Sequence, residues 1–119
     1  MFTDMLRRFV EQCPGAVGAV LMGFDGIAVD QYYLPTEQID QGMVAVEYAN
    51  VLKEIRNAAE ILKTGELREV SIVSASYQVL IRTLGDEYFI GLTLKREGNA
   101  GRGRYLLLRD APEIQAALA

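Results

Sequence analysis

The chain has 119 residues, half of them hydrophobic, and a net charge of −4. That is the length of one domain, 1–119, with enough apolar material for a core and no basic face to make nucleic acid its main partner. There is no histidine and one cysteine, Cys13, which excludes the commonest acid–base side chain, an internal disulfide and any cysteine-based zinc cluster.

The first segment carries Thr3 or Asp4 as candidate caps of a helix in which Met5, Leu6, Phe9 and Val10 recur at helical spacing. Pro14-Gly15 stops that pattern. Ala16 to Met22 is short and almost wholly apolar, which predicts a strand buried on both faces. Asp25-Gly26 is a hairpin turn signal, Ile27 to Tyr33 the return strand, and Pro35 its end. A long helix is expected over 38–63, stopped by Thr64-Gly65. Three β-rich runs follow: Glu69–Ser74, Tyr77–Leu84 and Glu87–Lys95. A Gly- and Arg-rich loop, Arg96 to Gly103, leads into a C-terminal helix that Asp110, Pro112 and Glu113 either kink or restart. The order α-β-β-α-β-β-β-α, with no linker or repeat, fits an α+β sandwich built on a five-stranded antiparallel sheet.

On a helical wheel Val44, Tyr48, Val51, Leu52, Ile55, Ala58, Ala59 and Leu62 of the long helix share one face, the expected core side. Met43, Val46 and Ile61 lie away from it, beside Asn50 and Asn57. These are either scattered surface residues or a second stripe that pairs with another copy or a partner. A helix of about 26 residues, about 39 Å long, exceeds what a small domain needs, which favours the pairing.

Phe24, in the run Met22-Gly23-Phe24-Asp25-Gly26-Ile27, stands at a hairpin tip, where polar residues are usual. It either folds back beneath a helix end or joins Asp25 and Ile27 in an anchor patch for a partner protein. The segment Gly98-Asn99-Ala100-Gly101-Arg102-Gly103-Arg104 reads as a strand-to-helix turn that needs positive φ, with solvated arginines. It is neither a P-loop nor a dinucleotide fingerprint, although Arg102 or Arg104 has the chemistry to act in trans on a GTPase. Ser71, Ser74 and Ser76 have no histidine to activate them, and no metal-ligand or cofactor motif is present. The expectation is a binding protein that performs no covalent chemistry. No membrane span is expected, because no apolar run approaches the roughly 20 residues required. The start lacks the apolar stretch of a signal peptide, and the lone thiol suits a cytoplasmic setting.

The hairpin Gly18-Ala19-Val20-Leu21-Met22-Gly23-Phe24-Asp25-Gly26-Ile27, the helix segment Val46-Glu47-Tyr48-Ala49-Asn50 and the run Gly98 to Tyr105 together resemble the roadblock/dynein light chain superfamily over almost the whole chain. Among its bacterial subtypes the resemblance is closer to MglC than to MglB, whose chains usually carry extensions beyond the core. The resemblance implies a profilin-like sandwich that forms a homodimer. Central helices pair in such dimers, which points to Met43, Val46, Asn50, Asn57 and Ile61. Third strands join the two sheets, which adds Val70 and Ile72. It further implies a non-enzymatic adaptor in a small Ras-like GTPase (MglA-type) polarity or motility system, binding an MglB-like roadblock protein or a RomR-like polarity protein. Direct GTPase activation is the alternative.

Overall fold

The computed structural model describes residues 2–37 and 40–119. Among them, helix α1 (Thr3–Gln12) is followed by strands β1 (Ala16–Gly23) and β2 (Ala28–Tyr33) and by helix α2 (Gln41–Leu62). Strands β3 (Glu69–Val73), β4 (Tyr77–Leu84) and β5 (Tyr88–Lys95) come next, and helix α3 (Ala100–Leu118) closes the order. The expected α+β order is therefore present. The predicted start of the long helix, residues 38 and 39, lies outside the described residues.

All neighbouring strands are antiparallel, in the order β2-β1-β5-β4-β3. β1 and β5 are central, and this explains their composition. β1 is buried along its whole length and β5 over Phe89–Leu94, because both faces of the sheet are covered. Leu6, Phe9, Leu106, Leu107 and Ile114 of α1 and α3 pack on Ala19, Leu21, Leu80, Leu84, Ile90, Leu92 and Leu94. On the opposite face Ala49 and Leu52 of α2 meet Val20, Met22, Val79, Ile81 and Phe89. The two sets alternate along each strand, as a period of two requires.

Several local expectations are corrected. Neither Thr3 nor Asp4 caps α1: Phe2 occupies the N-cap position and makes no side-chain cap. The Thr3 hydroxyl instead donates to Asp30 Oδ2 of β2 at 2.7 Å. Burial raises the Asp30 pKa, but hydrogen bonds from Thr3 and from the Gln31 and Phe2 backbone N–H groups outweigh it and hold the carboxyl below its usual range. Asp30 thus acts on the start of α1 from a different element. The return strand starts at Ala28, because the Ile27 N–H is taken by Asp25 Oδ1 at 3.0 Å and its carbonyl by the Gly23 N–H at 3.0 Å.

The Gly/Arg segment is helical from Ala100, capped by the Asn99 side chain accepting from the Arg102 N–H at 3.0 Å. Its glycines do not need positive φ, which is found instead at Gly15, Gly26, Gly65 and Gly85. They permit close approach. A Cβ on Gly103 would lie 2.9 Å from Leu80 Cδ1, and one on Gly98 3.0 Å from the Pro14 and Lys95 carbonyl oxygens. α3 is neither broken nor restarted: it runs through Pro112. The donor lost at Pro112 belongs to the carbonyl of Leu108, an exposed residue, so no buried group is orphaned.

Candidate protein-interaction surfaces

Two sequence-predicted surfaces are built by the α2 side of the sheet. α2 is capped by Asp40, whose carboxylate accepts from the Met43 N–H at 3.1 Å, and it ends at Lys63 in a left-handed conformation, φ 56°. Its buried face is narrower than the wheel suggests. Ala49 and Leu52 are buried, while Val51, Ala58 and Leu62 of the expected core side are exposed. The reason is geometric. α2 lies against the sheet over one line of contact and, among the described residues, no second helix covers its flanks, so residues to either side of Leu52 reach solvent.

The second stripe is present as an exposed surface. Met43 is 63 % exposed, Val46 52 % and Ile61 70 %, and Asn50 and Asn57 are exposed beside them. Val51 and Leu62 are exposed as well, but the exposed Glu47 and Glu54 separate them from the stripe on the wheel, so the apolar stripe is narrow. β3 is one of the two edge strands of the sheet. Val70 and Ile72 are half-buried and turn toward the α2 side, packing against its cluster. Their backbones lie on the free edge, and their side chains lie under the helix layer rather than at the surface.

The hairpin tip divides. Phe24 is 5 % exposed and packs edge-on to Phe89, ring centroids 5.4 Å apart. The Arg56 guanidinium lies 3.9 Å above its ring and donates from Nη1 to the Asp86 carbonyl at 2.9 Å. Phe24 therefore folds back beneath the C-terminal half of α2, the first of the two alternatives the sequence allows. Asp25 and Ile27 stay outside, Ile27 67 % exposed. The ring still borders two clefts. One, of about 500 Å³, runs between Arg56, Ala59, Lys63, Leu67 and Asp86, and the other, of about 260 Å³, is lined by Asp25, Glu87 and Tyr88. Arg56 is the residue that helix periodicity misses. Its charge alone would place it in solvent, and only its contacts with Phe24 and the far β4–β5 turn give its role.

The remaining chemistry-bearing groups are tied down. Burial pushes the Cys13 thiol up, only partly offset by Arg102, and the enclosed Sγ donates to the Asn99 carbonyl at 3.4 Å. Arg104 Nε pairs with Glu69 Oε1 at 3.0 Å, and Arg102 Nε donates to the Gln12 carbonyl at 3.4 Å. Tyr33 of β2 and Tyr48 of α2 are both partly buried. Burial, with the neighbouring Tyr48 adding to it, pushes Tyr33 up to about 12, and burial also raises Tyr48. Among the described residues no group of three or more His, Cys, Asp or Glu side chains is placed to hold a metal, and no helix is long and apolar enough to cross a membrane.

Comparison with known proteins places this geometry. Curated protein sequences give no match. The crystal structure of MglC from Myxococcus xanthus is 42 % identical, with 98 % of each chain covered and a TM-score of 0.71. A Roadblock/LC7 domain from Streptomyces avermitilis is 19 % identical, with 97 % of this chain and 95 % of that one covered, and a TM-score of 0.86. Myxococcus xanthus MglB is 15 % identical, with 98 % and 96 % covered and a TM-score of 0.85. The last two likenesses show the fold alone. The family model of the Roadblock/LC7 domain matches residues 2–94, and with it the chain belongs to the Roadblock/LC7 family.

Proposed function

We propose that this protein is a non-enzymatic homodimeric adaptor of the MglC type, cytoplasmic and bacterial, that regulates a small Ras-like GTPase system by binding an MglB-like roadblock protein or a RomR-like polarity protein. The carrying observation is the exposed apolar face of α2, with Met43, Val46 and Ile61 more than half open to solvent, in a chain of this family. Such a face in a small domain calls for a cover. A twofold pairing along α2, continued by the free edge of β3, supplies one from a second copy. Asn50 and Asn57 on the same face offer hydrogen bonds that fix its register. Asp25 and Ile27, held in place by the Phe24–Arg56 stack, are proposed as the partner-binding tip.

The dimer reading is tested by light scattering on Val46→Glu/Ile61→Glu. The expected result is a folded monomer, and an unchanged dimer would remove α2 as the seam. The adaptor reading is tested by GTP hydrolysis of a cognate MglA-type GTPase with and without this protein. No acceleration is expected. A clear acceleration establishes the alternative, direct GTPase activation, which the exposed arginines Arg102 and Arg104 keep chemically open.

A further inference from the structure

The outer side of α3 carries a second uncovered ridge, on the face of the sheet opposite α2. Gly101, Tyr105, Leu108, Pro112 and Ala116 follow one another at helical spacing, and all are exposed. Tyr105 and Leu108 are 52 % and 54 % exposed. The core needs neither, because α3 already buries Gly103, Leu106, Leu107, Ala111 and Ile114 on its other side.

The charge around this ridge is unlike that of the rest of the chain. Residues 95–116, which span the ridge, contain five of the twelve Lys and Arg side chains, Lys95, Arg96, Arg102, Arg104 and Arg109, and three of the sixteen Asp and Glu side chains, Glu97, Asp110 and Glu113. All but Asp110 are exposed. The segment is net +2 and the remainder net −6, which together make the −4 of the whole. Arg102 and Arg109 flank Tyr105, at 5.5 and 5.8 Å from its ring. Arg104 stands on the other flank, paired with Glu69, and Arg109 is paired with Asp110 at 2.9 Å. The single-contact Arg104–Glu69 pair holds little energy and exchanges readily for a partner's carboxylate, whereas Arg109 is held by two hydrogen bonds to Asp110. The absence of any acidic residue in the first turn of α3 adds the positive end of the helix dipole to the same field.

An apolar strip rimmed by arginines is complementary to a helix with an apolar strip rimmed by carboxylates. We infer that the Tyr105/Leu108 ridge of α3 docks an acidic amphipathic helix of a partner protein. Leu108 and Pro112 are of no use to a phosphate backbone, and the net negative charge of the rest of the molecule opposes approach to an acidic membrane. A second copy would set like charges against one another. The site lies on the sheet face opposite the proposed α2 seam, so the two readings stand or fall separately.

The test is fluorescence anisotropy of a labelled peptide of about four helical turns, with leucines on one stripe and glutamates on both flanks. A version with lysines replacing the glutamates, single-stranded DNA and phosphatidylserine vesicles are run beside it. The glutamate peptide alone is expected to bind, more weakly as salt rises. Arg102→Glu/Arg109→Glu is expected to weaken binding about tenfold or more, and Tyr105→Ala/Leu108→Ala several-fold. All four side chains are exposed, so the circular dichroism spectrum and dimer mass should be unchanged. Equal binding of the lysine peptide, no binding, retention by both variants, or preferential uptake by DNA or vesicles each overturns the proposal.

Discussion

The two faces of the sheet are closed in different ways. On one, α1 and α3 lie side by side and bury Leu6, Phe9, Leu106, Leu107 and Ile114, each 3 % exposed or less. On the other, a single helix of 22 residues is seated chiefly by Ala49 and Leu52, and its flanks stay open. The first layer is complete within one chain. The second is completed, on the proposed reading, by another. On that reading, the half-built layer is where assembly takes place.

Truncation breaks the comparison most directly. Leu106→Ala on the closed face should cost about 2–5 kcal/mol and leave the dimer dissociation constant unchanged. Leu52→Ala falls in the same range, but it should also weaken dimerisation, because it loosens the helix that is the proposed seam. An unchanged dissociation constant for Leu52→Ala in analytical ultracentrifugation would show that α2 is held by its own chain alone. A smaller effect comes from Tyr33 of β2. Its pKa is raised from 10.0 to about 12, so the folded state favours the neutral phenol. The associated stability is full below pH 10 and is lost as pH rises toward 12. Tyr33→Phe should flatten that part of the stability–pH curve, and an unaltered alkaline limb would contradict it. Smallest is Arg56→Ala, which removes the cation above Phe24. A loss of about 0.5–1 kcal/mol is expected, together with heightened proteolysis at the 24–27 turn. An unchanged cleavage rate would mean that the turn is held by the Phe24–Phe89 contact alone.

The order of elements was legible in the sequence because each strand is a short apolar or β-rich run bounded by Gly, Pro or Asp. The long helix and its outward stripe were legible because periodicity separates Met43, Val46 and Ile61 from Leu52. What periodicity does not carry is which neighbour arrives. Val51, Ala58 and Leu62 read as core because they are apolar on the right half of the wheel, but the sheet covers only the line through Leu52. The Phe24 site was found as an anomaly of composition. Its resolution rested on Phe89 and Arg56, both distant in sequence. Gly98 and Gly103 were recognised as special for the wrong reason. Local sequence can announce a glycine, whereas the crowding by Leu80, Leu92 and Pro14 that makes it necessary exists only after folding. The Thr3–Asp30 hydrogen bond, between α1 and a strand 27 residues away, belongs to the same class.

The central pairing of β1 with β5 has a consequence for how the protein is made. β1 lies between β2, its immediate successor, and β5, about 70 positions later, with Ala16 opposite Leu94 and Gly23 opposite Tyr88. A ribosome-bound chain can form the first hairpin at once, but the other edge of its most apolar strand stays open until β5 emerges. Only then do the Lys95 N–H and the Gly15 carbonyl meet, at 2.8 Å, and the Asn99 N–H and the Pro14 carbonyl, at 2.9 Å. The long-range β1–β5 pairing is expected to slow folding relative to a protein held by local contacts. During synthesis the nascent chain carries an exposed, wholly apolar strand edge that favours early capture by chaperones.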